Sequence, residues 1–248
     1  MCNLLAPLPV LNIMQEKTRK KLPPHELKLI LSDHRRWLES GGARGCRANL
    51  RSFDLSNRDL FGAVLKRAVL EDVDFSSANL RTANLKQADL HGCRFHQAHM
   101  QWSILKGARF DNNQLTQANL QFCDMSDTIM SDDDFNGAFF HNAYLGNAVL
   151  RRVNLTGTNL RFSTWSSSEL SRIKFTASTI QLADFSNASL KKIDFRKAQI
   201  FNTDFSGSGF SEVDFTAARL ENVNFQNTDL DPKNFQEAYW RECTFDRH

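Results

Sequence analysis

Histidine and aspartate side chains at close spacing offer this chain two routes to metal chemistry. His91, His96 and His99 lie within nine residues, and imidazole nitrogens are common zinc ligands. The run 132–134 is Asp-Asp-Asp, and carboxylates are calcium ligands, but the run lacks the alternating spacing of a calcium-binding loop. Whether the histidines can meet depends on the elements that carry them.

Those elements follow a strict five-residue period. A large apolar residue occupies every fifth position from Leu50 to Phe245, forty positions in succession. This period matches neither the 3.6-residue repeat of a helix nor the two-residue repeat of a strand. The chain returns to its starting direction if four pentapeptides form the four sides of a coil, so that residues twenty apart stack. The period therefore predicts a solenoid of about ten coils, roughly 48 Å long at the spacing of strands in a sheet.

The repeated motif also resembles that of a known family. Small, Asn or Asp, and large apolar residues follow one another in Ala78-Asn79-Leu80, Ala83-Asn84-Leu85, Ala88-Asp89-Leu90, Ala118-Asn119-Leu120 and Ala183-Asp184-Phe185. This pattern resembles the pentapeptide-repeat family over residues 48–245. The resemblance implies an all-β fold, a right-handed quadrilateral β-helix, and no single activity, because the characterised members bind other proteins. The segment 31–40 is similar to a helical lead-in of bacterial members.

The sequence before the repeats predicts a capping helix. Pro23 and Pro24 can begin a helix, Gly41 and Gly42 can end it, and apolar residues recur at helical spacing between them. An open β-helix end exposes unpaired backbone groups, so we expect helix 24–40 to cover the first coil. The predicted organisation is a flexible tail at 1–22, a capping helix and linker at 23–46, and the β-helix at 47–248.

Assignment of the polar residues to the four sides argues against an enzyme. His91, His96 and His99 point from three different sides and cannot share a metal ion. Cys93, Cys123 and Cys243 take the small inward position, which predicts buried thiols and a reducing cytoplasm. Asp133 also takes this inward position, where an unpaired charge would be costly. A solid core offers no substrate pocket. We therefore expect no catalytic, cofactor or metal site, and no apolar run is long enough to cross a membrane.

Outward apolar residues gather on one side of the predicted rod. They are Trp102, Phe122, Phe162, Leu182, Phe61 and Phe201. Exposed contiguous apolar surface is typical of a contact site. The alternative is a structural ladder, since like residues at ladder spacing pack on one another. Both interpretations stay open at this point.

A basic group lies on another side. It comprises Arg151, Arg152, Arg172, Lys191 and Lys192. Aromatic side chains that would stack on bases are not interleaved with it, so we expect solvated charge rather than nucleic-acid binding.

The last coil has no predicted cap of its own. Free ladder groups at such an end are a template for pairing. We therefore expect a tail-to-tail homodimer, with Tyr239, Trp240 and Phe245 at or near the seam.

Two functions fit the sequence. The first is a cytoplasmic scaffold that binds a protein partner through an outer face of the β-helix. The alternative is a DNA-mimicking modulator of a type II topoisomerase, DNA gyrase, as in the quinolone-protection proteins of the family. Residues 47–248 hold 23 basic and 24 acidic residues, so this rod lacks the strongly acidic character of those relatives.

Overall fold

The computed structural model describes residues 19–230, 235 and 237–246 of the 248-residue chain. In these residues one helix, α1, spans Pro24–Glu39 and precedes most of the short strands. The strands are β1 (Lys20–Lys21), β2 (Asn49–Arg51), β3 (Phe53–Asp54), β4 (Val69–Glu71), β5 (Asp89–His91), β6 (Arg109–Asp111), β7 (Ile129–Ser131), β8 (Val149–Arg151), β9 (Glu169–Lys174), β10 (Thr179–Gln181), β11 (Ser189–Asp194), β12 (Gln199–Phe201), β13 (Gly209–Asp214), β14 (Arg219–Glu221) and β15 (Tyr239–Arg241).

Coils of twenty residues stack in register along the rod. Leu50 lies opposite Leu70, which lies opposite Leu90, and the same parallel pairing continues through a sheet ordered β13-β11-β9-β8-β7-β6-β5-β4-β2. The described residues form about nine turns. Residues 231–234 and 236 of the predicted tenth coil lie outside them. The predicted fold class, an all-β right-handed quadrilateral β-helix with an N-terminal helix, is confirmed.

Each corner of a coil depends on a left-handed backbone conformation. From Leu50 to Phe225, the second residue after each large inward residue has positive φ, as at Ser77 (56°) and Thr82 (57°). The residue before the inward one stabilises the turn, since Asp74 Oδ1 accepts the N–H of Ser76 at 2.9 Å. This bond explains why Asn and Asp recur in the repeat.

The interior of the rod is a column of stacked large side chains. The rings of Phe175, Phe195 and Phe215 lie parallel, with successive centroids 5.1 Å apart. Trp165 and Phe185 stack in the same way at 5.5 Å. The spacing of the coils therefore sets a favourable separation for offset ring stacking. Because these side chains fill the core, any recognition depends on the outward residues and on the ends of the rod.

Helix α1 covers part of the N-terminal end through His34, as the sequence predicts for a cap. The buried His34 ring accepts the N–H of Ala48 on Nδ1 at 3.0 Å, and its Nε2 lies 3.0 Å from the carbonyl oxygen of Lys66. The corresponding carbonyl of the next coil, at Lys86, accepts an N–H from the coil before it. The Nε2–H of His34 thus takes the place of the backbone N–H that a preceding coil would donate to the Lys66 carbonyl. This arrangement requires a neutral ring with its proton on Nε2.

The end of the predicted tail also lies on the rod. Lys20 and Lys21 form β1, which pairs in parallel with Phe53–Asp54. Arg19 donates to the carboxylate of Asp72 at 2.6 Å and to its backbone carbonyl at 2.8 Å. Residues 1–18 of the predicted flexible tail lie outside the described residues.

Candidate functional site

Exposed apolar side chains concentrate at one corner of the rod. Twelve large apolar side chains are exposed in the described part of the chain. Seven of them lie on or beside a single corner over five successive coils: Trp102, Ile104, Phe122, Phe139, Tyr144, Phe162 and Leu182. Isolated exposed apolar residues are normal on a soluble protein, whereas contiguous exposed apolar surface is typical of contact sites.

The centre of this group, here called the aromatic corner, is defined by Trp102, Phe122, His141, Phe162 and Leu182. Its four rings form a continuous stack. Trp102 and Phe122 stack with centroids 4.1 Å apart and an interplanar angle of 3°. His141 then bridges to the next aromatic residue, edge-on to Phe122 at 6.0 Å and to Phe162 at 5.1 Å. The rings stay partly open to solvent, with Trp102 57%, Phe122 37% and Phe162 46% exposed.

The backbone under the aromatic corner is unfavourable for large side chains. Trp102, Phe122 and Phe162 have φ of 63°, 59° and 59°, and Leu182 has φ of 53°. The left-handed region suits Gly and Asn, and it costs other L-residues roughly 1–2 kcal/mol each. The same corner carries Asn142 and Asn202 in other coils, which shows that small polar residues fit.

Ile104, Tyr144 and Phe139 extend the apolar surface to both sides of the corner. The Tyr144 ring lies over Gly146, where an added Cβ would come within 3.0 Å of its hydroxyl oxygen. Ile104, Tyr144 and the bridging role of His141 were not predicted from the sequence. Residues on the two sides of a corner are close in the sequence, as Trp102 and Ile104 are, only two residues apart. This short spacing is the sequence signal that could have identified them.

Phe61 and Phe201, also predicted members of the contact surface, have different surroundings. Phe61 is exposed near α1, with the Arg81 guanidinium 6.0 Å from its ring centroid. Phe201 is half-buried, and Arg219 lies 5.5 Å from its ring and 5.6 Å from that of Tyr239. Neither ring joins the stack of the aromatic corner.

The predicted basic group forms a shallow groove of about 370 Å³ on a different corner. Arg152 pairs with Asp132, with its Nη2 2.5 Å from the carboxylate, and Lys192 pairs with Glu212 at 3.2 Å. The other three residues, Arg151, Arg172 and Lys191, form no ion pair within the described residues. No aromatic side chain lines this groove.

The residues predicted for a dimer seam lie on the last described coil. Trp240 takes an inward position yet is 37% exposed, and its ring contacts that of Phe245 edge-on at 5.7 Å. Tyr239 is exposed on the outer side of β15. These positions leave the dimer a prediction.

The side chains that could bind metal point in separate directions. His91 contacts Asp111 at 2.8 Å on one face, and His96 contacts Thr116 at 2.7 Å on the next. No group of three His, Cys, Asp or Glu side chains in the described residues could hold a metal ion. Among the same residues, no helix combines the length and apolarity that a membrane crossing requires.

Asp133 is a buried carboxyl group in the core. Its Oδ1 accepts two bonds from Asn113, from the backbone N–H at 2.8 Å and from Nδ2 at 2.9 Å. Its Oδ2 is buried and has no hydrogen-bond partner among the described residues. Burial raises the pKa of Asp133 to about 7. The sequence predicted the inward position of Asp133, and the structure shows that Asn113 donates to one of its two carboxylate oxygens.

The fold and its outward residues define a class of protein, the parallel β-solenoids with four-sided coils. Comparison with protein families matches a model described as pentapeptide repeats (8 copies) at residues 59–97, 93–132 and 134–164, and a model described as a pentapeptide repeat region at residues 178–248. These matches cover more than half of the chain, and the chain belongs to the pentapeptide-repeat family.

Solved structures with a similar fold come from the same family. HetL, a pentapeptide repeat protein involved in heterocyst differentiation regulation from the cyanobacterium Nostoc sp., is 22% identical; the match covers 84% of this chain and 91% of HetL, with a TM-score of 0.45. A trypsin-treated form of QnrB1, a plasmid-mediated fluoroquinolone resistance protein, is 20% identical; that match covers 81% of this chain and 90% of the other, with a TM-score of 0.49. Comparison with curated protein sequences found no match.

Proposed function

We propose that this protein is a non-enzymatic scaffold that binds a protein partner through the aromatic corner. The observation that carries this proposal is the solvent-exposed ring stack from Trp102 to Phe162. Aromatic residues are enriched in the cores of protein interfaces, because they bury a large area and lose little conformational freedom.

The solvent exposure of the rings supports a contact role over a purely structural one. Corners with Asn or Gly close equally well and avoid the cost of a large side chain at positive φ. Left-handed residues occur at the corners throughout the rod, so it is the exposed aromatic surface that distinguishes this corner. The stack itself contributes some stability, but the outer sides of its rings still contact water in the isolated chain.

Site-specific photo-crosslinking tests the proposal. A photoreactive amino acid at Asn142, between Phe122 and Phe162 on the same corner, should capture one protein from a lysate of the source organism. The matched control is Asn112, an exposed Asn on the diagonally opposite corner, with the same φ of 56° as Asn142. The captured protein should disappear when Trp102, Phe122 and Phe162 are all replaced by Asn. Equal capture from both positions would contradict the proposal.

Modulation of DNA gyrase remains the alternative prediction. It requires the rod to replace a DNA duplex, and the near balance of charge in residues 47–248 does not favour that. A gyrase supercoiling assay, with and without a quinolone, distinguishes the two functions. Inhibition or quinolone protection that survives loss of the aromatic corner would support the alternative.

A further inference from the structure

We propose a second binding site at the N-terminal edge of the first coil, for an extended peptide segment that carries carboxylates. The site is a groove of about 680 Å³ between α1 and residues 58–64, here called the cap groove. Its volume falls within the usual range of ligand sites. It is separate from the aromatic corner, and it does not depend on the function proposed above.

The cap groove exists because α1 covers only part of the first coil. Ala63 takes the small inward position and is only half-buried. Its counterparts in the following coils, Ala83 and Ser103, are 0% and 1% exposed. Leu31 of α1 and Phe61 of the coil add apolar surface to the two walls. Part of the first coil is thus accessible to an additional chain segment.

The floor of the cap groove carries backbone groups without partners. In the second coil, the N–H groups of Asn79 and Asn84 each donate to the first coil at 2.9 Å. Their counterparts in the first coil, the N–H groups of Asp59 and Val64, have no acceptor among the described residues. The carbonyl groups of Asp59 and Phe61 likewise accept no bond from the described chain. Unpaired donors and acceptors of this kind are a template for an added strand.

The neighbouring face of the same coil already binds such a strand. There β1 pairs in parallel with Phe53–Asp54, and the N–H of Lys20 donates to the carbonyl of Ser52 at 2.9 Å. A segment laid on residues 59–61 would repeat this pairing one face further around the coil, and it would turn with the coil at Gly62 to reach Val64. The fold therefore contains its own example of the proposed interaction.

The charged residues that line the cap groove indicate which side chains a bound peptide should carry. Lys28 and Arg35 of α1 and Arg58 of the coil line the cap groove, and none forms an ion pair within the described residues. Arg58 is held in place by donating to the carbonyl of Leu22 at 2.8 Å. Asp59 is the one lining carboxylate among the described residues, and its Oδ1 already accepts a bond from Asn79 at 2.8 Å. The net positive groove thus fits a peptide with acidic side chains.

Peptide selection tests this site. A random heptapeptide library is selected against the full chain, and enriched peptides are synthesised with a fluorescent label for anisotropy titration. We expect enriched sequences that alternate apolar and acidic residues. Arg35→Glu should weaken their binding at least tenfold. Arg36→Glu is the matched control, because Arg36 pairs with Asp33 and does not line the groove, and it should change binding less than twofold.

Hydrogen exchange supplies the structural readout. Bound peptide should slow exchange of the Asp59 and Val64 amides, which are the unpaired donors of the cap groove. The proposal is overturned if the library yields no saturable binder, if Arg35→Glu binds as tightly as the parent, or if these two amides gain no protection. Replacement of Trp102 and Phe122 by Asn should leave peptide binding intact, so failure here is distinguishable from failure of the scaffold function.

Discussion

The indole ring of Trp102 lies parallel to the phenyl ring of Phe122, with centroids 4.1 Å apart, on two corner residues that both have positive φ. A favourable ring contact is thus combined with an unfavourable backbone conformation. Stacking of an aromatic pair contributes roughly 0.5–1.5 kcal/mol beyond area burial, and the left-handed conformation costs a similar amount per residue.

The near cancellation of these two effects predicts that the stack is dispensable for folding. Replacing Trp102, Phe122 and Phe162 together by Asn should shift the free energy of unfolding by no more than about 1 kcal/mol, because Asn tolerates the conformation. Thermal and urea unfolding followed by circular dichroism measure this. A large loss of stability would mean that the stack is a structural ladder, the other interpretation of the sequence.

Asp133 predicts an unusual dependence of stability on pH. Its folded pKa of about 7 lies above the ordinary value of 3.8, so the folded state holds the proton more tightly than the unfolded state. This contribution is fully present below about pH 4 and is lost as the pH rises to about 7. The difference between the folded and the ordinary pKa corresponds to roughly 4 kcal/mol in the free energy of unfolding.

Asp133→Asn should remove that dependence. In the same column Asn113 accepts the N–H of Cys93 and donates to the carbonyl of Leu90, twenty-three residues earlier. By the same register, Asn at position 133 would accept from Asn113 and donate to the carbonyl of Phe110. We expect a higher unfolding midpoint than the parent at pH 8 and a similar midpoint at pH 4. A parent whose stability rises between pH 4 and pH 7, in step with the variant, would contradict this assignment.

For His34 we expect the opposite dependence of stability on pH, at helix α1. Burial lowers the pKa of His34 below its ordinary value of 6.5, and the positive charge of Arg47 lowers it further. The neutral ring accepts the Ala48 N–H. Its contribution is present above pH 6.5 and is lost as the pH falls through the folded pKa. Hydrogen exchange of residues 24–39, corrected for intrinsic rates, should therefore speed up at pH 5 relative to pH 7.5. In His34→Ala it should be fast at both values, whereas exchange in the middle coils should change little.

Trp240 leads to a prediction about assembly. It is 37% exposed although it takes an inward position, and burial against a second copy would cover it. Light scattering at high micromolar concentration should give twice the mass of one chain, and Trp240→Glu should give one. A parent chain that stays monomeric would rule out the tail-to-tail dimer.

The sequence predicted most of the fold because one period determines many contacts. A twenty-residue register assigns every residue to a face, so the inward position of Asp133 and the shared side of Trp102, Phe122 and Phe162 followed directly. The pairing of β1 with Phe53–Asp54 did not follow, because two lysines outside the repeat carry no periodic signal.

The details of the candidate site were less predictable. His141 takes part in the stack through the orientation of its side chain, which a period cannot specify. The cap groove depends on the angle at which α1 crosses the first coil. That angle follows from local contacts such as the bonds of His34, and these bonds are not encoded in the repeat.

The affinity of the captured partner for the purified chain tests the central claim most directly. By isothermal titration, the variant with Asn at positions 102, 122 and 162 should bind at least about thirty-fold more weakly than the parent, a loss of about 2 kcal/mol that is typical of one interface hot spot. Ile129→Asn is the matched control, because Ile129 is 43% exposed on another face, and it should bind within about twofold of the parent. Equal affinities of the triple variant and the parent would contradict the claim that the aromatic corner binds the partner.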